Sequence, residues 1–280
     1  MEYISQIRKP ADAYDAAVAA GEAKVKCPLY ILLLKAIMGG YFAGLGGHAA
    51  MALASFFYTE GHKGMSKLIF GVIFSGALVC IVFTGTDLVT SNCMNFGLLM
   101  YGRRIKPHTY AIRMLTSLVG NYTGAVISAA MLTGGTGFFV NGVGPQGASE
   151  YLKAVYDFKL SLPFWRVIFS AIGCNCYVCM AVWSCYVTLE SSGAVLSMVL
   201  LITSFAVAGF EHIVANFYTL HAALISCQGT SVLSVYGSNL VPTFIGNYIA
   251  GSFVIALPLH LMYGTRKGNG ELLAAPTENV

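Results

Sequence analysis

The chain has 280 residues, a net charge of +4 at pH 7, 56% hydrophobic residues and only 10% charged ones. Soluble domains carry about 25% charged residues, so this composition, with a mean hydropathy of +0.69, excludes a wholly soluble protein, leaves little room for a soluble domain and predicts a protein embedded in the lipid bilayer. The basic excess implies no nucleic-acid partner, because the Lys and Arg residues cluster at the ends of apolar segments, as expected where loops face an anionic leaflet.

In chain order, residues 1–34 read as a cytoplasmic N-terminal segment without a cleavable leader. Within it PADAYDAAVAAGEAKVKC (10–27) is Ala-rich and predicts an amphipathic helix, either a plain interfacial anchor or a gate or inter-subunit clasp. A membrane-crossing helix needs about 20 apolar residues. Six segments qualify: Lys35–Tyr58, Lys67–Met100, Pro107–Thr133, Phe164–Leu189, Ala194–Ser226 and Leu240–Tyr263. They delimit a transmembrane domain over 35–263, with repeat one at 35–133 and repeat two at 164–263. The Gly-rich stretch 134–150 reads as an outer loop, and 264–280 as a short cytoplasmic tail. With the N-terminus inside, the inner ends hold Arg8, Lys9, Lys24, Lys26, Arg103, Arg104, Lys106, Arg266 and Lys267. The outer loops hold Lys63, Lys67, Lys153 and Lys159, so the bias places both termini in the cytoplasm.

The second and fifth segments are too long for one simple span, and each carries a carboxylate in the same setting. Gly85, Asp87 and Asn92 recur as Gly209, Glu211 and Asn216, offset by 124 residues at all three positions. The triplet Gly120-Asn121-Tyr122 recurs as Gly246-Asn247-Tyr248, offset by 126, and Gly46-Gly47-His48 lines up with Gly173-Cys174-Asn175, offset by 127. Two copies of three spans each must have opposite orientations, which gives an inverted repeat. Both long segments then read as half-helix, irregular loop, half-helix. Such a break survives at membrane depth only where protein or a water-filled cavity satisfies the backbone.

An intramembrane ionisable residue is a functional-site hypothesis by default. Asp87 and Glu211 serve either as proton-relay groups or as structural acceptors for the freed N–H groups of the broken helices and for Asn92 and Asn216. His212, directly after Glu211, falls inside the second break and offers a hydrogen bond or a proton to a permeating weak-acid anion. Its repeat counterpart is Leu88. Thr90 offers a hydroxyl to share a substrate oxygen with His212, or bonds backbone in a turn. Leu78 and Phe205, one to two turns before the breaks, fit apolar constrictions or ordinary packing. Lys35 and Lys159 open spans 1 and 4, where they attract anions at a vestibule or snorkel to headgroups. His48 and His221 read as packing. Cys174, Cys176 and Cys179 sit on one predicted helix at spacings that point to different faces, which argues against a metal cluster. No cofactor motif is present.

At these residues the chain resembles the formate–nitrite transporter family. The shared stretches are GTDLVTSN (85–92), GNYTGA (120–125), GCN (173–175), AGFEHIVANFY (208–218) and GNYIAG (246–251). Lys35, GCN and YTLHAAL (218–224) are most similar to the branch that exports L-lactate with protons in protozoan parasites. The resemblance implies an aquaporin-like protomer, a homopentamer with five separate pores, and residence in the plasma membrane. It implies a path past Leu88, Thr90 and His212, constrictions at Leu78 and Phe205, a polar residue at Asn175, and vestibule lysines at Lys35 and Lys159. Ser91 stands where relatives often have Gly, and Leu78 where some have Phe. The function implied is proton-coupled transport of small monocarboxylates (lactate, formate, acetate or pyruvate), the substrate crossing as the neutral acid. A channel for small anions or neutral solutes, a cysteine-based membrane enzyme and a purely structural pentamer are the alternatives.

Overall fold

The computed structural model describes residues 6–264 as an all-helical bundle. The helices are α1 (Pro10–Lys26), α2 (Leu29–Thr59), α3 (Lys63–Thr84), α4 (Val89–Tyr101), α5 (Pro107–Ala129, continued by a π turn to Gly135), α6 (Ala148–Ser161), α7 (Phe164–Val187), α8 (Ser191–Ala208), α9 (Ile213–Ser226) and α10 (Val232–Gly264). Six of them are long and apolar enough to cross a membrane: α2, α3, α5, α7, α8 and α10. The half-helix pairs α3/α4 and α8/α9 are the two expected broken segments.

Both breaks are made by the same local chemistry. Gly85 (φ 65°) and Gly209 (φ 73°) end α3 and α8 in the left-handed conformation that glycine adopts without penalty. Leu88 and His212 are extended residues that start the next half-helix. The chain passes through α2 before entering α3, but through α7 before entering α8, so the half-helices approach the mid-depth of the bundle from opposite ends. The end of α7 is fixed beside the N-terminal segment by bonds from Arg8 N to Val187 O (2.7 Å) and Leu189 N to Gln6 O (2.9 Å).

In α10, Pro242 and Pro258 each follow a π turn, Val235–Leu240 and Ala250–Ala256. Proline lacks an N–H and crowds the carbonyl four residues before it, and a widened turn accommodates that loss without ending the helix.

Three expectations change. The first concerns α1, which packs Ala13, Tyr14, Ala17, Val18 and Gly21 into the protein rather than onto a lipid surface. Tyr14 meets His260 Nδ1 at 2.7 Å, and the Gly21 site abuts the Asn95 carbonyl. A face of small residues allows that close docking.

Second, the Gly-rich stretch gives way at Ala148 to a helix, α6, whose last turn carries Lys159. Third, the alignment of spans 1 and 4 shifts. Asn121 Nδ2 bonds Ala36 O (2.7 Å) while its counterpart Asn247 Nδ2 bonds Ala171 O (2.8 Å), so these helices correspond at an offset of 135, not 127. Gly40, not His48, is therefore opposite Asn175. The cause is length: α2 has 31 residues against 24 in α7, and α3 has 22 against 18 in α8. Arg266 and Lys267, used for orientation, and nearly all of the tail 264–280 lie outside the described residues.

Replacing Gly85 or Gly209 by Ala puts a side chain where the left-handed conformation costs about 1–2 kcal/mol. Each variant is expected to unfold at a lower temperature in detergent, and an unchanged midpoint would show that the break does not depend on that conformation.

Candidate functional site

At each break the freed backbone groups are taken up by an asparagine from a neighbouring helix. Asn121 Oδ1 accepts Val89 N–H (2.8 Å), and its Nδ2 donates to Asp87 O (2.9 Å). Asn247 Oδ1 accepts Ile213 N–H (2.9 Å), and its Nδ2 donates to Glu211 O (3.0 Å). The Asp87 N–H goes to Lys35 O (3.1 Å) and the Glu211 N–H to Ser170 Oγ (3.1 Å). The freed N–H groups thus bond amide side chains, a backbone carbonyl and a hydroxyl, none of them a carboxylate, and the carboxylates do different work.

Each carboxylate receives an asparagine and a lysine. Asn92 Nδ2 donates to Asp87 Oδ2 (2.7 Å) and Asn216 Nδ2 to Glu211 Oε2 (2.6 Å). Ser117 donates to Asp87 Oδ2 (2.6 Å), and Asn239 Nδ2 to Glu211 Oε2 (3.1 Å). Lys24 Nζ lies 2.9 Å from Asp87 Oδ1 and 2.7 Å from Asn92 Oδ1. Lys159 Nζ lies 3.1 and 3.0 Å from the two Glu211 oxygens. Burial opposes the charge on Lys24, but the Asp87 carboxylate and the nearby Tyr186 outweigh it and raise its pKa above the ordinary lysine value.

Lys159 therefore reaches its break, whereas Lys35 does not supply the matching cation. The Lys35 side chain is exposed, and its backbone carbonyl is the part that enters the site. Lys24 takes that place, from α1. A signal for it exists in the sequence: Lys24 precedes Pro28 by four residues just as Lys159 precedes Pro163, at the same offset of 135.

Between the breaks lies a cavity lined by apolar side chains and one imidazole. Leu78, Leu88, Phe205 and His212 meet there, with Phe74, Ile202 and Val178. Leu78 comes from α3 and Phe205 from α8, helices that enter from opposite ends. The Phe205 ring lies over His212 with centroids 5.8 Å apart.

Thr90 Oγ1 is 3.2 Å from His212 Nε2, so one hydrogen bond joins the two half-helix starts. The other ring nitrogen, Nδ1, accepts the Ala215 N–H at 3.2 Å and caps α9. A nitrogen that accepts a backbone N–H carries no proton, so the hydrogen of the neutral ring is on Nε2, facing Thr90 and the cavity. Asn175 stands behind this pair, donating to Thr90 O (3.2 Å) and Asn247 O (2.7 Å).

His48 and His221 are bonded rather than simply packed. His48 Nδ1 meets Tyr218 OH at 2.7 Å, and His221 bonds Phe217 O (2.7 Å) and Tyr236 OH (3.0 Å). Cys174 and Cys179 are buried and Cys176 is half-buried; among the described residues no group of three or more His, Cys, Asp or Glu side chains converges.

The family model for formate/nitrite transporters matches residues 11–261. A formate-nitrite transporter of Plasmodium falciparum is 36% identical over 90% of this chain and 84% of its own length. Formate-nitrite transporter 3 of Toxoplasma gondii is 36% identical over 86% of this chain and 48% of its own. Among solved structures, an FNT family ion channel superposes with a TM-score of 0.78 at 22% identity, covering 90% of this chain and 98% of that one. A pentameric formate channel with formate bound superposes with a TM-score of 0.70 at 21% identity, covering 84% and 97%.

Removing one partner of a buried ion pair leaves an uncompensated charge and costs about 3–5 kcal/mol, more than removing both. Lys24→Met is therefore expected to lower thermal stability more than the double variant Lys24→Met/Asp87→Leu. Additive losses in a thermal unfolding series would refute the coupling.

Proposed function

This chain belongs to the formate/nitrite transporter family, and from that premise we propose that it carries small monocarboxylates across the plasma membrane together with protons, each substrate crossing as the neutral acid. The observation that supports this reading is the single imidazole in an otherwise apolar cavity, held between the two broken helices. An anion entering such a cavity loses its hydration, and its proton affinity rises, as for any desolvated carboxylate. Lys24 and Lys159, one near each break and each paired with a carboxylate, offer their remaining N–H donors to an anion at the two approaches. The acid forms at these approaches and passes Leu78 and Phe205 at the cost of an uncharged solute.

His212 then acts as a hydrogen-bond donor through Nε2, shared with the Thr90 hydroxyl. A second proton, at Nδ1, would displace the Ala215 N–H from its acceptor and uncap α9. The substrate's proton in this reading therefore comes from water in the vestibule, not from the imidazole. Asp87 and Glu211 hold the breaks and their lysines, and do not relay protons.

The pentameric formate channel supports extending the same five-fold assembly of identical chains to this protein, one pore per protomer. The Lys and Arg distribution supports termini on the cytoplasmic side. Both solved neighbours are described as channels, which favours conduction of formate-like anions without proton coupling as a second reading.

Uptake of labelled L-lactate and formate into proteoliposomes at fixed membrane potential separates the two. Accumulation driven by an inward proton gradient is expected; flux indifferent to the gradient, with measurable current, would establish the channel. His212→Ala is expected to cut uptake at least tenfold while the protein still assembles. His212→Asn retains a side-chain acceptor for the cap and an N–H donor, and is expected to keep gradient-driven uptake. Loss of coupling in His212→Asn with flux retained would make the imidazole the proton carrier.

A further inference from the structure

The inverted repeat allows the two approaches to the cavity to be compared residue by residue, and they differ in one polar pair. On the approach beside α1, Tyr186 OH donates to Asn95 Oδ1 at 3.2 Å. Applying the offsets of 135 for the first helix of each repeat and 124 for the half-helices, Tyr186 corresponds to Met51 and Asn95 to Thr219. These two also touch, with Thr219 Oγ1 3.8 Å from Met51 Sδ, but a thioether is a weak acceptor and offers no donor. The same place is therefore polar on one approach and nearly apolar on the other.

Asn95 is fully buried, yet its Nδ2 amide has no acceptor among the described residues. A buried donor left unpaired has lost its water without gaining a partner, so the group calls for an explanation. Turning the amide over moves the problem to the oxygen and does not remove it. The Tyr186 hydroxyl instead holds the carboxamide so that its N–H is left free.

The free donor stands next to a cation that solvent reaches. Lys24 has a quarter of its side chain exposed, 25%, and touches Asn92. Asn95 follows Asn92 by one helical turn on α4, a separation of about 5–6 Å between Cβ atoms. Tyr186, on α7, is close enough to Lys24 to interact with its charge. A carboxylate oxygen on Lys24 and a second oxygen on the adjoining carbon would bridge that span with one hydrogen bond to each donor.

We propose that Asn95, oriented by Tyr186 and placed beside Lys24, is a selectivity subsite for an oxygen on the carbon next to the carboxylate, favouring 2-hydroxy and 2-oxo monocarboxylates over unsubstituted acids on the α1 approach. The proposal rests on the transport of monocarboxylates argued above and adds which of them the protein prefers. Formate and acetate, with no such oxygen, have nothing to offer the free amide. The Met51–Thr219 pair offers no equivalent discrimination at the opposite approach.

The test uses competition with labelled formate uptake in proteoliposomes of the full chain. L-Lactate and propionate differ only by the hydroxyl, so the ratio of their inhibition constants isolates its contribution. In Asn95→Leu and Tyr186→Phe the propionate-to-lactate ratio is expected to fall about fivefold to tenfold, the worth of one hydrogen bond. Thr219→Val at the opposite approach is expected to leave it within twofold. A shift below twofold in Tyr186→Phe, or equal weakening of both inhibitors, overturns the subsite. Tyr186→Phe keeps the ring and its packing, so it decides the question even if Asn95→Leu fails to assemble. If the unsubstituted protein takes up no formate, the transport reading falls and the subsite with it; if it does and the ratio is unmoved, the subsite alone is wrong.

Discussion

Two asparagine side chains make the rest of this structure possible. A helix interrupted at membrane depth exposes backbone donors and acceptors that lipid cannot satisfy, each at a cost of several kcal/mol. Asn121 and Asn247 each accept one freed N–H and donate to two carbonyls, one of them on the facing helix. That triangulation fixes the break, the carbonyl of the acidic residue and the first helix of the repeat in one arrangement. The lysine–carboxylate pairs, the cavity and the placement of His212 all follow from having a break that does not refold into continuous helix.

The scaffold is symmetric and the chemistry is in the departures from symmetry. Capping, ion pairing and the left-handed glycine occur twice with nearly the same distances. Leu88 against His212, Gly40 against Asn175, and Met51 with Thr219 against Tyr186 with Asn95 occur once in each form. Gly40 has its Cα pressed against the Asn121 backbone, and Asn175 instead sends an amide to the Asn247 carbonyl. A duplicated frame tolerates these exchanges because its stability resides in the paired asparagines and ion pairs, leaving these other positions free to differ.

Much of this was legible in the chain. The Gly-x-acid-x4-Asn repeat locates both breaks because glycine, carboxylate and asparagine each answer a local need of an interrupted helix. The recurring GNY triplet marks the capping asparagines, although their role emerges only when the half-helix N–H groups are seen to point at them. Lys24 is hidden because the motif matches give offsets of only 124 to 127, whereas α2 and α3 are longer than α7 and α8 and shift the first helices to 135. Lys35 opens span 1 as Lys159 precedes span 4 in the sequence, but the lysine that pairs with the first carboxylate as Lys159 does with the second lies on the preceding helix. The helix α6 was masked by its Gly-rich approach, and the docking of α1 by an amphipathic pattern that suits a lipid surface and a protein groove equally.

The bond from Ala215 to His212 bears on how the membrane keeps its stored energy. A file of water molecules crossing the bundle would conduct protons by hopping, and would discharge a proton gradient held across the membrane. An imidazole relays such hops only when both nitrogens are free to exchange. Here one nitrogen is committed to the end of a helix, so the ring breaks the file in the way a resistor interrupts a wire. The ring is thereby an insulating point for bare protons in any file of water that reaches it, and the proton leak through an idle protomer should be small.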